Sequence, residues 1–354
     1  MLAADSKLVS APDGGPPHPE PAQAWKRIIE PVEPFLDAVG RQLGQQVTAF
    51  DPDIGPYANY ALNGQGKHLR PALVALTANA LDKVSDNHVT AAVIIEMVHL
   101  ATLVHDDVMD EAEIRRGRLT LAANWGNDIA VLFGDCLFAR ALTLASSFPT
   151  TDVCRAVAMA TNTVCSGEIL QNHHRGDFEF TRENYFRVLE MKTAELFALS
   201  CELSAFLSGA SAERQAALRR FGLAFGTAYQ VYDDCLDLFG SETLAGKSLG
   251  TDLAKGKLTL PILLLRECAT PADRERLRGL VQTWQTTSIR TMAGLLDKYG
   301  TLPASLEVLR SYLDGARQIL MDFPPSHGRS GLLRLTDLLA LQTEALGPAP
   351  WNGL

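Results

Sequence analysis

The chain has 354 residues, 47% hydrophobic and 21% charged, a composition that supports a sizeable core and excludes a mostly disordered protein. Its 32 basic and 41 acidic side chains give a net charge of −9 with no basic block, which counts against a general nucleic-acid binder. A polyanionic ligand would have to meet a local group of cations or metal ions. The six cysteines form no Cys-x-x-Cys pair, and the N-terminus does not read as a secretory signal. Reduced thiols and a cytoplasmic location are therefore expected. The richest apolar stretch, Val89 to Val104, is interrupted by Glu96 and His99, so no transmembrane segment is expected.

In chain order, residues 1–24 come first. Five of the 18 prolines fall within residues 12–21, so this segment is expected to be a mobile Pro/Gly-rich tail. Residues 25–354 show no further boundary and are read as a single all-helical domain. Lys67 and Arg70 stand three apart at a loop-to-helix junction. Val93, Met97, Leu100 and Val104 recur at helical intervals. Similar spacing runs through Ile129–Leu144, Val153–Gln171, Tyr185–Leu207 and Ala212–Leu238. Only Pro149 lies between Pro71 and Pro261, which argues against a loop-rich or all-β fold. The fold class is all-α, a large bundle of long helices, several of them apolar all round and so central.

Two aspartate clusters share one spacing. Asp106, Asp107 and Asp110 end one apolar helix, and Asp233, Asp234 and Asp237 end another. The first and last member of each are four apart, which puts both carboxylates on one helix face. A single cluster of this kind could be a solvated helix end. Acidic side chains are destabilising at a helix C-terminus, however, unless a cation sits there. Finding the pattern twice points to divalent cations, and oxygen-only ligands suit Mg²⁺ or Mn²⁺. Isolated cations surround the clusters: Lys67, Arg70, Arg115, Arg116, Lys192, Lys247 and Lys257. Each alone could be an ordinary surface charge. Together with the clusters they form a site for two diphosphates, one bridged by metals and one held directly. His173 and His174 read as surface residues. His99 lies seven residues before Asp106, on nearly the same face. No Gly-x-x-x-x-Gly-Lys-Ser/Thr loop or Gly-x-Ser-x-Gly elbow is present.

From Lys67 to Pro261 the motifs are GKHLRP, EMVHLATLVHDDVMDEAEIRRG, GEILQ, MKTAELF, GTAYQVYDDCLD and GKSLGTDLAKGKLTLP. In this order they resemble the trans-isoprenyl diphosphate synthases, or polyprenyl synthetase family. The runs ATLVHDD and TLPILLL resemble most its long-chain members, such as octaprenyl diphosphate synthases. The resemblance implies helices around a central apolar cavity. It also implies a prenyltransferase that condenses an allylic diphosphate with isopentenyl diphosphate, repeatedly, to a long all-trans chain for a quinone side chain. It assigns two Mg²⁺ to Asp106, Asp107 and Asp110 and a third to Asp233, Asp234 and Asp237. Arg115, Lys192, Thr193, Gln230, Lys247 and Lys257 would serve the allylic diphosphate. Lys67, Arg70, His99 and Arg116 would bind isopentenyl diphosphate. A homodimer is implied, and the apolar product would need delivery to a membrane.

His68 stands where the family commonly has Arg, Leu238 where Tyr is frequent, and Met191 where Gly is common. None of these departures removes a charged ligand, which weighs against a non-catalytic subunit. A terpene cyclase would not need the second clamp of Lys67, Arg70 and Arg116. A farnesyl or geranylgeranyl synthase remains the alternative on product length. In short-chain relatives bulky aromatics close the pocket at the level of Ala101 and Thr102. Both are small here and imply an open tunnel. On an ideal helix Thr102 lies within about 60° of the mean Asp106/Asp110 direction and Ala101 about 160° away. Periodicity thus favours Thr102, the resemblance marks both, and a close helix contact is the other reading of Ala101.

Overall fold

The computed structural model describes residues 21–62, 66–115, 117–240 and 249–347. Helix α1 spans Pro21–Ile29 and, after a 3₁₀ turn, α2 spans Glu33–Val47. Helices α3 (Gly55–Leu62) and α4 (Leu69–Ala80) lead to the long α5 (Asp86–Met109). A short antiparallel pair, β1 (Ile114–Arg115) and β2 (Arg118–Leu119), follows, with Ile114 opposite Leu119. Then come α6 (Leu121–Trp125), α7 (Asn127–Ala145), α8 (Asp152–His173), α9 (Arg182–Leu189), α10 (Glu195–Leu207) and α11 (Ala212–Phe239). The chain closes with α12 (Thr251–Ala254), α13 (Leu260–Cys268), α14 (Pro271–Gln282), α15 (Ile289–Lys298), α16 (Thr301–Met321) and α17 (His327–Thr343).

The expected all-α class holds: the structure is 78% helical. Four of the expected helical runs become α5, α7, α8 and α11. The fifth, Tyr185–Leu207, is interrupted by a π-helical turn at Glu190–Ala194. Helix α1 begins four residues inside the segment expected as a tail, and Ile28 on it is buried. Residues 1–20 lie outside the described residues, as do Arg116 and Lys247.

The centre is α5 and α11. Helix α5 packs on α7, α4, α10 and α2, while α11 packs between α10 and α16. Ile94, Ile95 and Met97 of α5, with Phe221 and Phe225 of α11, are buried in one core that runs from Ile28 to Leu346. Among the described residues α5 alone is long and apolar enough to cross a membrane by length and composition, despite Glu96 and His99. Most of its apolar stretch is buried inside the bundle, which marks it as a core helix. Ser211 starts α11, its side chain accepting from the Arg214 N–H. Glu111, at φ 50°, takes the left-handed conformation that turns the chain away after α5. Both helices therefore end at the same side of the bundle as one cavity.

Candidate active site

A cavity of about 1670 Å³ opens between the ends of α5 and α11. Asp106 and Asp110 line one wall, and Asp233 and Asp234 line the other. Lys67, Arg70, His99, Thr102, Arg115, Lys192, Thr193, Gln230 and Lys257 also line it. The structure thus brings most of the expected site residues to one space.

Three do not face it. Asp107 is nearly buried, and Arg115 Nε donates to its Oδ1 at 2.7 Å. Asp237 is fully buried and is turned towards the following segment. Its Oδ1 accepts from Thr251 Oγ1 at 2.9 Å, and its Oδ2 from the Asp252 N–H at 3.2 Å. Asp237 therefore caps α12, although its four-residue spacing from Asp233 places the two on one helix face. Ala101 is fully buried and away from the cavity, whereas Thr102 lines it and donates to the His99 carbonyl at 2.7 Å.

On the α5 wall, three cations converge on Asp110. Arg175 Nη2 lies 2.8 Å from Oδ1, and the Lys255 and Lys257 ammoniums each lie 3.2 Å from Oδ2. Burial alone would raise the Asp110 carboxyl, but Lys257 and Lys255 outweigh it and hold it down at about 2. Asp106 is raised, first by burial and further by neighbouring Glu168, against the pull of Lys192. Lys192 contacts Glu168, donates to Gln171 Oε1 at 2.9 Å and lies 3.7 Å from Asp106. Burial would strip its proton, but Asp106 and Glu168 raise its pKa overall, so the ammonium is retained.

On the α11 wall, Thr193 Oγ1 donates to Gln230 Oε1 at 2.9 Å and Gln230 Nε2 donates to Asp234 Oδ1 at 2.8 Å. The Tyr185 hydroxyl donates to Asp234 Oδ2 at 2.5 Å. Burial, then Asp252, push the Asp234 carboxyl up to about 8, and the donors Tyr185 and Gln230 act against them.

Lys192 and Thr193 share the π-helical turn, a feature that commonly marks functional positions. Two motif glycines make room for it. A Cβ on Gly167 of α8 would lie 2.7 Å from the Lys192 nitrogen, and one on Gly226 of α11 would lie 2.7 Å from Ala194 Cα. At the far end, the Arg70 guanidinium lies 4.5 Å from the centre of the Phe197 ring. His68 is left-handed at φ 46°, and its Nδ1 lies 3.2 Å from Glu96 Oε1.

Sequence reasoning missed Glu96, Glu168, Gln171, Arg175, Tyr185, Asp252 and Lys255. Glu168 and Gln171 stand in the GEILQ run, and Lys255 sits two residues before Lys257. Those positions were the available signal.

The aspartates that face the cavity are oxygen donors, two of them, Asp106 and Asp234, with carboxyls raised by burial and by a neighbouring carboxylate, a set that fits a hard divalent cation. Among the described residues no three of them meet at one point. An ion held here would take part of its shell from water or ligand oxygen.

The profile of the polyprenyl synthetase family matches residues 52–297. The chain is 34% identical to octaprenyl diphosphate synthase of Escherichia coli over 314 residues, which is 88% of this chain and 97% of that one. It is also 34% identical to heptaprenyl diphosphate synthase component 2 of Bacillus subtilis, over 84% of this chain and 85% of that one. Its fold matches a Caulobacter crescentus polyprenyl synthase crystallised with calcium and isoprenyl diphosphate. There the TM-score is 0.84 and the identity 32%, over 89% of this chain and 97% of the other. Likeness of that extent, spanning both aspartate clusters and the cations between them, means that the chain belongs to the polyprenyl synthetase family and is a trans-prenyltransferase.

Proposed function

We propose that the chain extends an allylic diphosphate by repeated condensation with isopentenyl diphosphate to a long all-trans polyprenyl diphosphate, with Mg²⁺ as its working ion. One observation carries this reading. A single cavity of about 1670 Å³ holds both aspartate walls and the Lys67/Arg70/His99 clamp, and is lined also by Thr102 and by apolar side chains such as Leu103, Phe138 and Val164. Pockets for drug-sized ligands measure about 300–1,000 Å³, so there is room for a growing chain. The long-chain names of the E. coli and B. subtilis relatives agree with it.

The family uses divalent metal ions. Asp106, Asp110 and Asp233 are the side chains best placed to hold them, and Mg²⁺ suits their oxygen donors. When bound, such ions neutralise the allylic diphosphate and make it a leaving group. Lys192, kept protonated by Asp106 and Glu168, adds a fixed positive charge beside that diphosphate. Thr193 and Gln230 present oxygen to the allylic carbon as positive charge develops there. Lys67, Arg70 and His99 hold isopentenyl diphosphate with its double bond towards that carbon. The apolar remainder of the cavity keeps water from the cation.

A homodimer is supported by Leu132 of α7 and Met159 of α8, large apolar side chains left exposed in one copy. The relative named as a component marks a mixed assembly as the competing outcome, and the solution mass decides. The six cysteines, all free, support action in the cytoplasm. Incubation with farnesyl diphosphate, labelled isopentenyl diphosphate and Mg²⁺, followed by chromatography, tests the function. Chains beyond geranylgeranyl length are expected. Products that stop at geranylgeranyl diphosphate would overturn the long-chain reading.

A further inference from the structure

We propose that Tyr185 is a positioning residue for the allylic half of the reaction, acting through Asp234 and Gln230 to set which atoms Thr193 and Gln230 turn towards the substrate. This rests on the prenyltransferase reading above. Tyr185 is 3% exposed, at the edge of the cavity, and its hydroxyl lies 2.5 Å from Asp234 Oδ2. A carboxylate oxygen accepts, so the phenol gives its proton to Asp234.

Each further link has one direction. A carboxylate only accepts, so the NH₂ side of the Gln230 amide must face Asp234 Oδ1, at 2.8 Å. The amide oxygen must then face Thr193, 2.9 Å away. An amide oxygen cannot donate, so the Thr193 hydroxyl gives its proton to Gln230. What remains for the cavity is lone pairs on Thr193 Oγ1 and on Gln230 Oε1. Lone pairs stabilise an allylic cation, whereas N–H or O–H protons in the same place oppose it.

Without the phenol, Asp234 Oδ2 would be buried with one donor fewer. The carboxylate could then rotate, and Gln230 could present its NH₂ to Thr193. The Thr193 hydroxyl would become an acceptor with its proton towards the cavity. Tyr185 thus acts on the reaction without touching the reacting atoms.

The test is a double-mutant cycle with farnesyl and isopentenyl diphosphates in the presence of Mg²⁺. It uses Tyr185→Phe, Thr193→Val, and both together. Tyr185→Phe should lower kcat about ten- to a hundredfold, the value of one hydrogen bond to a charged group. KM for isopentenyl diphosphate should stay within twofold. In the Thr193→Val background the same change should cost clearly less than in the wild type, because one of the two groups it orients is gone. Binding of an unreactive allylic thiolodiphosphate, followed by calorimetry, should be unchanged. Full additivity of the two changes, or an unaltered kcat in folded Tyr185→Phe protein, would overturn the proposal. If the wild-type protein itself failed to condense the two substrates, the prenyltransferase reading would fall and this one with it.

Discussion

Gly167 and Lys192 touch backbone to backbone: a Cβ on Gly167 would stand 2.7 Å from the Lys192 nitrogen. The glycine does not line the cavity, yet it sets how deeply the turn carrying Lys192 and Thr193 sits against α8. Replacing it with alanine should overpack this contact and cost about 1–3 kcal/mol of stability. Turnover should fall further than the melting temperature suggests, since Lys192 moves relative to Asp106. Denaturant titration beside steady-state rates checks this, and a Gly167→Ala protein with native rates would contradict it.

The two small residues before the first aspartate cluster should part company. Thr102→Phe enters the cavity wall and should shorten the product while sparing the first condensation. Ala101→Phe enters a filled core away from the cavity and should cost about 1–3 kcal/mol of stability. Product chromatography and thermal melting on both variants separate the outcomes. A shorter product from Ala101→Phe at unchanged stability would reverse the assignment.

The cations divide by substrate. Lys67→Ala should raise KM for isopentenyl diphosphate, and Lys192→Ala should act on the allylic substrate or on kcat. Each removes a charge-assisted contact of about 1.5–3 kcal/mol, roughly ten- to a hundredfold. Were Lys67→Ala to raise only the allylic KM, the two ends of the cavity would have to be exchanged.

The metal-free protein should lose stability as pH rises from the ordinary carboxylate range towards 8. Asp234 is pushed up to about 8, so across that interval the folded state keeps a proton that the unfolded chain has released. The stabilisation is fully present at the acid end and is lost on the way up. Asp110, held at about 2, stays ionised throughout and adds no slope. Melting temperatures in the presence of a chelator measure the trend, and Asp234→Asn should lessen it, with Asp106 and Asp107, which burial also raises, supplying the remainder. Equal slopes in both proteins would place the source elsewhere.

The long helices were readable because their apolar residues recur at three and four, and the cavity walls because aspartates at helix C-termini need a cation. Other features leave no such mark. The turn at Glu190–Ala194 keeps an apolar pattern on both sides, so periodicity passes through it unbroken. Tyr185 in such a run reads as core. Asp237 has the spacing of a cavity residue, but that spacing cannot foresee that α12 takes up its carboxylate. Arg175 joins Asp110 across 65 positions, a distance at which local pattern is silent.

The capture of Asp237 also sets a dimension. Asp237 grips Thr251 and Asp252, and a few residues on, Lys255 and Lys257 grip Asp110. The segment from 249 to 257 therefore ties the end of α11 to the end of α5. It works like the arm of a calliper laid across the two carboxylate walls. Shortening either grip would change the gap in which a diphosphate must fit, so the spacing of the walls is heritable in this segment as well as in the packing of the two helices.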